Sequence, residues 1–492
     1  MHPPVIVRTP GDRSLTVFID VAWNDRRLSL HPELLAKIVA TRAAMMDVLA
    51  GDEPVYGVNT GMGYLSKIRL SEEDQRVHQA NLFMGRAVGG PPFLDRGESR
   101  AILLSRLFSF LSGEAGVTPE LCSCIVDRLN DGFIPAIPRA GMGCAGEIIP
   151  MAHAFGTFLG LGQVIAPDET LFSAADALRE RNVAPYQPGV KEGIALLAGA
   201  PGALALTIAR WRSATALLRQ LTVCWACAIN ALDVPLAPYD PAIAELAHDS
   251  TMGRVLERLG ELLDGWPGGK GATQAPVSFR VIPQVLTHVQ RVLERTEEDI
   301  RRNLPAVTDS PAFIHGRFLT SGGFHAISLA AQMDSLCIAL IQVAELGGQH
   351  VHRLLDNRFS GLPDQLAAVP GPHAGLVVVH KRVVGVVHEM RSLAVPMTVG
   401  ISDTSLGQED AMTFGFEAAE KLRRVECLLR EVIATELLVC RQAWALRGLE
   451  PPVGLRAYAQ ELAGIVRPVD RDRQLGPEID SLTALLAAGR FQ

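Results

Sequence analysis

Seven long stretches of this chain set apolar side chains three and four residues apart, the spacing that gathers them on one face of an α-helix. They cover residues 35–49, 98–113, 119–129, 204–232, 283–303, 326–355 and 408–446. The last is broken only by Gly415 and carries Glu417, Glu420, Lys421 and Arg424 on one side. A helix of that length is expected to pack in a bundle, often between subunits. Another apolar stretch, 148–166, holds Pro150, His153 and several glycines, and is expected to be a buried core helix rather than a membrane span. Strand-like runs are few, and residues 14–21 are the best of them. The pattern predicts an all-α protein with a loop-rich part over residues 1–203 and a long-helix bundle over 204–492.

Between the helices, glycine and proline mark loops at 55–64, 86–92, 134–146, 266–276 and 320–324. Small-residue loops held by rigid helices are where a binding site is built. Composition narrows the choice. With 492 residues, 48% apolar and 20% charged, the chain can bury a large core. Its net charge of −7 argues against a basic nucleic-acid groove. The opening MHPPVIVRTPGDRS has neither the basic start nor the apolar run of a secretory leader, and no run of 18 uncharged apolar residues is present. Eight cysteines sit mostly in apolar helical stretches, as reduced cytoplasmic thiols would. Cys224 and Cys227 form a CxxC without a second Cys or His pair, so core thiols are expected there and no metal.

Five segments carry polar residues that packing alone does not require. Val55–Gly63 presents Tyr56 on a turn that contains Asn59 and three glycines, which fixes the ring whether it caps a core edge or acts chemically. GMGCAGEIIPMAHA, residues 141–154, has Cys144, Ala145 and Gly146 at its tip and no hydroxyl. Arg280 precedes Pro283 in VSFRVIPQ; it suits a bidentate grip on a carboxylate and equally a surface ion pair. His380, Lys381 and Arg382 interrupt a β-branched run, where a lysine either snorkels to water or is desolvated. Glu409 and Asp410 stand at the head of the longest helical pattern, where the helix dipole alone would favour them.

Taken together these segments resemble the aromatic amino-acid ammonia-lyase family, which includes histidine, phenylalanine and tyrosine ammonia-lyases. YGVNTGMG is similar to the family's YGVNTGFG, and the 132–154 segment to its G-A-S-G-D-L-x-P-L-A-H region. Lys191-Glu192-Gly193, FRVIPQV, SGGFH and GQEDAMTFG have counterparts in the same order, from about residue 50 to 450. The resemblance implies a helical homotetramer with active sites assembled from loops of several subunits. It also implies a methylidene-imidazolone (MIO) electrophile formed from an Ala-Ser-Gly tripeptide, which here falls on Cys144-Ala145-Gly146. Alanine has no hydroxyl to eliminate, so MIO is not expected and no other cofactor is implied. Other departures accompany it: Ala198 for an Asn, Arg86 for a His, Val277 for a Tyr and Gly323 for an Asn.

A primary amine needs MIO because it leaves poorly, whereas a quaternary ammonium leaves as a neutral amine. The chain is thus similar to the family's MIO-independent branch, the ergothionases, which eliminate trimethylamine from ergothioneine to give thiourocanate. That likeness implies Tyr56 as general base or relay, Lys381 as the group stabilising charge in the thioimidazole ring, and Glu409 as its orienting partner. Arg280 would hold the substrate carboxylate, with Lys67, Arg86, Asn59, Phe324 and His380 lining the site. The expected partner is a small betaine, with no nucleic acid and no membrane. The alternative is an inactive histidine ammonia-lyase-like protein, or a serine-to-alanine variant at residue 145.

Overall fold

The computed structural model describes residues 3–269 and 273–492; of the loop expected at 266–276, positions 270–272 therefore lie outside the described residues. The chain is predominantly helical, as the apolar spacing predicts. Two compact units emerge. The first comprises Met1–Ala209, Thr296–Met333 and Pro396–Glu420; the second comprises Arg210–Arg295, Asp334–Val395 and Lys421–Gln492. The first unit thus runs slightly beyond the expected division at 203 and also takes in two later segments.

Within the first unit the helix Arg96–Phe110 forms the centre, with every residue from Glu98 to Phe110 buried. Asp95 starts it through a capping box with Glu98. Burying charge there requires partners, and Arg100 finds them in main-chain carbonyls. Its guanidinium donates to Val21 (2.6 Å), Ala22 (3.1 Å) and Leu129 (2.7 Å). Those carbonyls belong to the last turns of the helices Leu15–Ala22 and Pro119–Asn130, so one cation satisfies orphan acceptors of two helices. Three short two-stranded sheets decorate this unit: Val5–Val7 with Leu28–Leu30 in parallel, and two antiparallel pairs, Gln163–Ile165 with Leu171–Ser173 and Ala312–Ile314 with Arg317–Leu319.

Three expectations need correction. Residues 14–21 form no strand. Ser14 accepts the Val17 N–H as an N-cap, and Leu15, Phe18, Val21 and Ala22 are buried along one helical face, so tertiary burial overrides β-propensity. The 148–166 helix stops early: Ile148–Gly156 is followed by a short 3-10 turn, then Gly160 in the left-handed region, and Gln163–Ile165 pairs as a strand. The longest helix spans Gly415–Arg447 rather than starting at 408. Leu406 and Phe414 both have positive φ, which keeps Glu409 on a loop six residues before the helix starts at Gly415 rather than at its head.

The second unit carries charge inside as well. Arg210 pairs with Glu426 at 2.7 Å, and Lys421 donates to Asp334 at 2.5 Å and to the Val395 carbonyl at 2.7 Å. Cys224 and Cys227 are buried and unpaired in Pro201–Leu232. Two helical stretches, Glu192–Leu232 and Gly323–Leu355, are long and apolar enough to cross a bilayer by composition; the apolar window of the first is wholly buried in the protein.

Replacing Arg100 by Met removes three charge-assisted hydrogen bonds at once. The expected cost is about 3 kcal/mol or more, read as a lower thermal unfolding midpoint; an unchanged midpoint would show that the two helix ends do not depend on it.

Candidate active site

The Val55–Met62 turn has no regular secondary structure, so its polar backbone groups must find side-chain partners. Asn59 supplies them: its Oδ1 accepts the Val55 N–H at 2.7 Å and its Nδ2 donates to the Glu53 carbonyl at 3.0 Å. Gly57 sits at φ +66°, and a Cβ there would lie 2.2 Å from the Ile194 Cδ1. Only glycine fits that approach. Val55, Val58, Ile194 and Ala198 then close a buried cluster against which Tyr56 and Met62 pack. The Gly63 N–H donates to the Tyr56 hydroxyl at 2.8 Å, which fixes the phenol oxygen.

Opposite this turn, the 141–147 loop is held by carboxylates from the 396–420 segment. Glu417 accepts the Met142 N–H at 2.8 Å, and Glu409 Oε2 accepts the Ala145 N–H at 3.0 Å. Glu409 Oε1 accepts from the Ser405 hydroxyl at 2.8 Å. Gly146 at φ +73° and Glu147 at φ +59° turn the chain sharply, and the Glu147 carboxylate accepts the Gly202 and Ala203 N–H groups at 2.6 and 2.7 Å. It thereby caps the N-terminus of Pro201–Leu232. Burial pushes the Glu147 carboxyl up to about 7, against those two hydrogen bonds and the Arg106 cation. Burial likewise pushes the Cys144 thiol up to about 11, so at neutral pH it is a protonated, poorly nucleophilic group.

These elements enclose a cavity of about 940 Å³. Of the expected residues, Tyr56, Arg86, Ala145, Gly146, Phe324 and Glu409 line it. Arg86 follows Gly85, which ends the helix Glu72–Met84. Among the described residues its guanidinium makes only weak contacts, to the Leu82 carbonyl at 3.4 Å and the Met62 sulfur at 3.9 Å. Burial lowers its pKa, while the nearby Tyr56 and Glu409 raise it. The cavity therefore holds a phenol, a carboxylate and a partly desolvated cation close enough to interact. Ala198, also on the wall, and Ala145 add small apolar surface beside Phe324.

Asn59 and Lys67 do not line the cavity; Asn59 is engaged in its own turn and Lys67 is exposed. His325, Met62, Tyr64, Ser405 and Gln408 line it without having been singled out. Their signal was adjacency: His325 follows Phe324 in SGGFH, and Ser405 and Gln408 flank Glu409.

Arg280, His380 and Lys381 belong to the second unit. Arg280 ends the short helix Val277–Arg280; its Nη1 donates to Gln274 Oε1 at 3.2 Å and its buried Nε has no partner among the described residues. His380 stacks on His352, with centroids 4.9 Å apart and planes at 22°. Burial lowers the His380 pKa, and His352 acts in the same direction. Lys381 is exposed on the helix Val377–Ser392, beside Arg382, which pairs with Glu431 and Asp480. With a methyl group at 145 and no hydroxyl at 144–146, the loop does not fit the formation of a dehydrated serine electrophile.

Comparison with known proteins places these features in context. Residues 14–464 match the sequence model described as aromatic amino acid lyase. Histidine ammonia-lyase from Streptomyces coelicolor is 32% identical across 100% of this chain and 98% of its own length. That from Symbiobacterium thermophilum is also 32% identical, over 97% and 96%. Among solved structures, the ergothioneine-degrading ergothionase from Treponema denticola superposes with a TM-score of 0.94 at 21% identity, covering 99% of both chains. Tyrosine aminomutase from Streptomyces globisporus gives 0.93 at 25%, covering 99% and 98%.

The raised Glu147 carboxyl has a definite pH signature. The folded chain keeps a proton that the unfolded chain releases between about pH 4.5 and 7. This group's contribution to stability is therefore complete below about 4.5 and is lost as pH rises to about 7. Glu147→Gln should flatten that part of the stability–pH curve; an unchanged slope would show that Glu147 does not titrate there.

Proposed function

The chain belongs to the aromatic amino acid lyase family, whose members support a carbon–nitrogen lyase reading, and on that premise we propose that it eliminates trimethylamine from ergothioneine or a related trimethylammonium betaine. The observation that carries this reading is the cavity wall at 145. The loop is held by carboxylates at Met142 and Ala145, yet it offers a methyl group where the family's electrophile requires a serine. A substrate whose nitrogen is already quaternary needs no such electrophile.

In this reaction Tyr56, acting as the phenolate, takes the proton from the carbon adjacent to the ring and becomes the phenol. The freed electron pair forms the new C=C bond, and the C–N bonding pair departs with trimethylamine. The phenol oxygen accepts the Gly63 N–H and interacts with the Arg86 cation, so it is placed to handle charge during the transfer. Glu409, anchored by Ser405 and the Ala145 N–H, has remaining lone pairs with which to orient the ring nitrogens. Arg280 holds the substrate carboxylate, and Lys381 stabilises charge delocalised into the thioimidazole. The unpartnered Nε of Arg280 and the exposed Lys381 are available for such roles. In this proposal they are contributed within a homotetramer, by neighbouring copies of the chain. No cofactor takes part.

A second reading, an inactive histidine ammonia-lyase-like protein, is favoured by the names of the sequence relatives. Incubation with ergothioneine separates the two: the proposal expects the ultraviolet band of thiourocanate and one trimethylamine released per turnover. No turnover at any pH would remove it. Histidine turnover by Ala145→Ser would favour the second reading.

With activity in hand, Tyr56→Phe should lower kcat by about 10²–10⁴-fold. Lys381→Met should lower it by about 100-fold or more. Full activity in either variant would show that the assigned role is wrong.

A further inference from the structure

Arg280 is a cation without an acidic partner among the described residues, on a helix of only four residues. A segment so short has no stability of its own, so its guanidinium can be aimed only if other elements hold its backbone. Two buried side chains do so. The Tyr239 hydroxyl donates to the Phe279 carbonyl at 2.8 Å. His350 Nε2 lies 3.0 Å from the Ser278 carbonyl, which can only accept, so this nitrogen carries the proton. The other ring nitrogen, Nδ1, lies 2.9 Å from Glu436 Oε1. Both His350 and Glu436 are fully buried. The imidazole also packs on Phe279, with centroids 4.3 Å apart, and meets the edge of Trp225 at 5.2 Å. Gly347 lies against both Val432 and the carboxylate, since a Cβ there would lie 2.9 Å from Val432 Cγ1 and 3.2 Å from Glu436 Oε2.

We propose that Tyr239 and the His350–Glu436 pair are the positioning device for Arg280, fixing the 278–279 carbonyls so that the guanidinium is presented to a substrate carboxylate in one orientation. A buried ion-pair geometry is an expensive way to hold a surface turn. Hydrogen bonds to two consecutive carbonyls immediately before the arginine have a clear use if its direction matters. Neither residue would touch substrate; both act through Arg280. The inference rests on the proposed carboxylate-binding role of Arg280.

The test is a double-mutant cycle on ergothioneine turnover. Arg280→Ala should raise KM by about 100-fold, the loss of a charge-assisted bond. Tyr239→Phe, which deletes one hydroxyl and keeps the ring, should raise KM by about threefold to tenfold with kcat within about twofold. His350→Ala should do the same more strongly, and His350→Gln, which keeps an N–H donor, should recover part of the loss. In the Arg280→Ala background both effects should vanish; additive effects there would overturn the proposal in favour of a purely structural role. Amide hydrogen exchange over residues 277–281 provides the second reading. It should quicken in Tyr239→Phe and His350→Ala, and unchanged exchange would overturn the proposal whether or not the protein turns over ergothioneine. An unaltered KM in Arg280→Ala would instead overturn the role of Arg280, and the positioning inference with it.

Discussion

An irregular loop cannot satisfy its own backbone, and the site depends on how this one solves that problem. Along 141–147 the Met142 and Ala145 N–H groups are bound by Glu417 and Glu409, while Glu147 returns a carboxylate to the first N–H groups of Pro201–Leu232. Each carboxylate does two things: it satisfies a buried donor and joins segments far apart in the chain. Glu409 in particular ties residue 145 to residue 405, so the wall at Ala145 and the acid group beside it cannot move independently. Arg86 and Tyr56 are then set against a rigid surface.

Most of the helices were legible because they are long and their burial is one-sided or complete, which leaves a periodic trace. Residues 14–21 misled because the aromatic and β-branched residues there suit a strand as well as a helix, and only the core they meet decides. The early stop at Gly156 and the late start at Gly415 turn on positive-φ residues, Gly160 and Phe414, which composition alone does not mark as breaks.

For the site, legibility followed chemistry rather than geometry. Tyr56 and Glu409 stood out as polar groups among small residues and Ala145 as a missing hydroxyl, while Arg86 and Phe324 could be named only through the likeness to the ammonia-lyase motifs. Asn59 looked the same in sequence but closes its own turn. An amide that binds backbone and one that binds ligand leave identical letters. The Tyr239 and His350 contacts to consecutive carbonyls were invisible for the same reason: their partners are main-chain atoms.

The close approach of Gly57 to Ile194 links two parts of the chain that are far apart in sequence. Because a single methyl at 57 would overlap the isoleucine, the Tyr56 turn and the helix Glu192–Leu197, which ends at Ala198, share one fixed spacing. Shrinking residue 194 alone would not admit a side chain at 57, because the backbone there is also left-handed, at φ +66°. Position 57 thereby holds the phenol and the wall at 198 to one separation, and remodelling this cavity for a bulkier substrate has to leave that glycine in place.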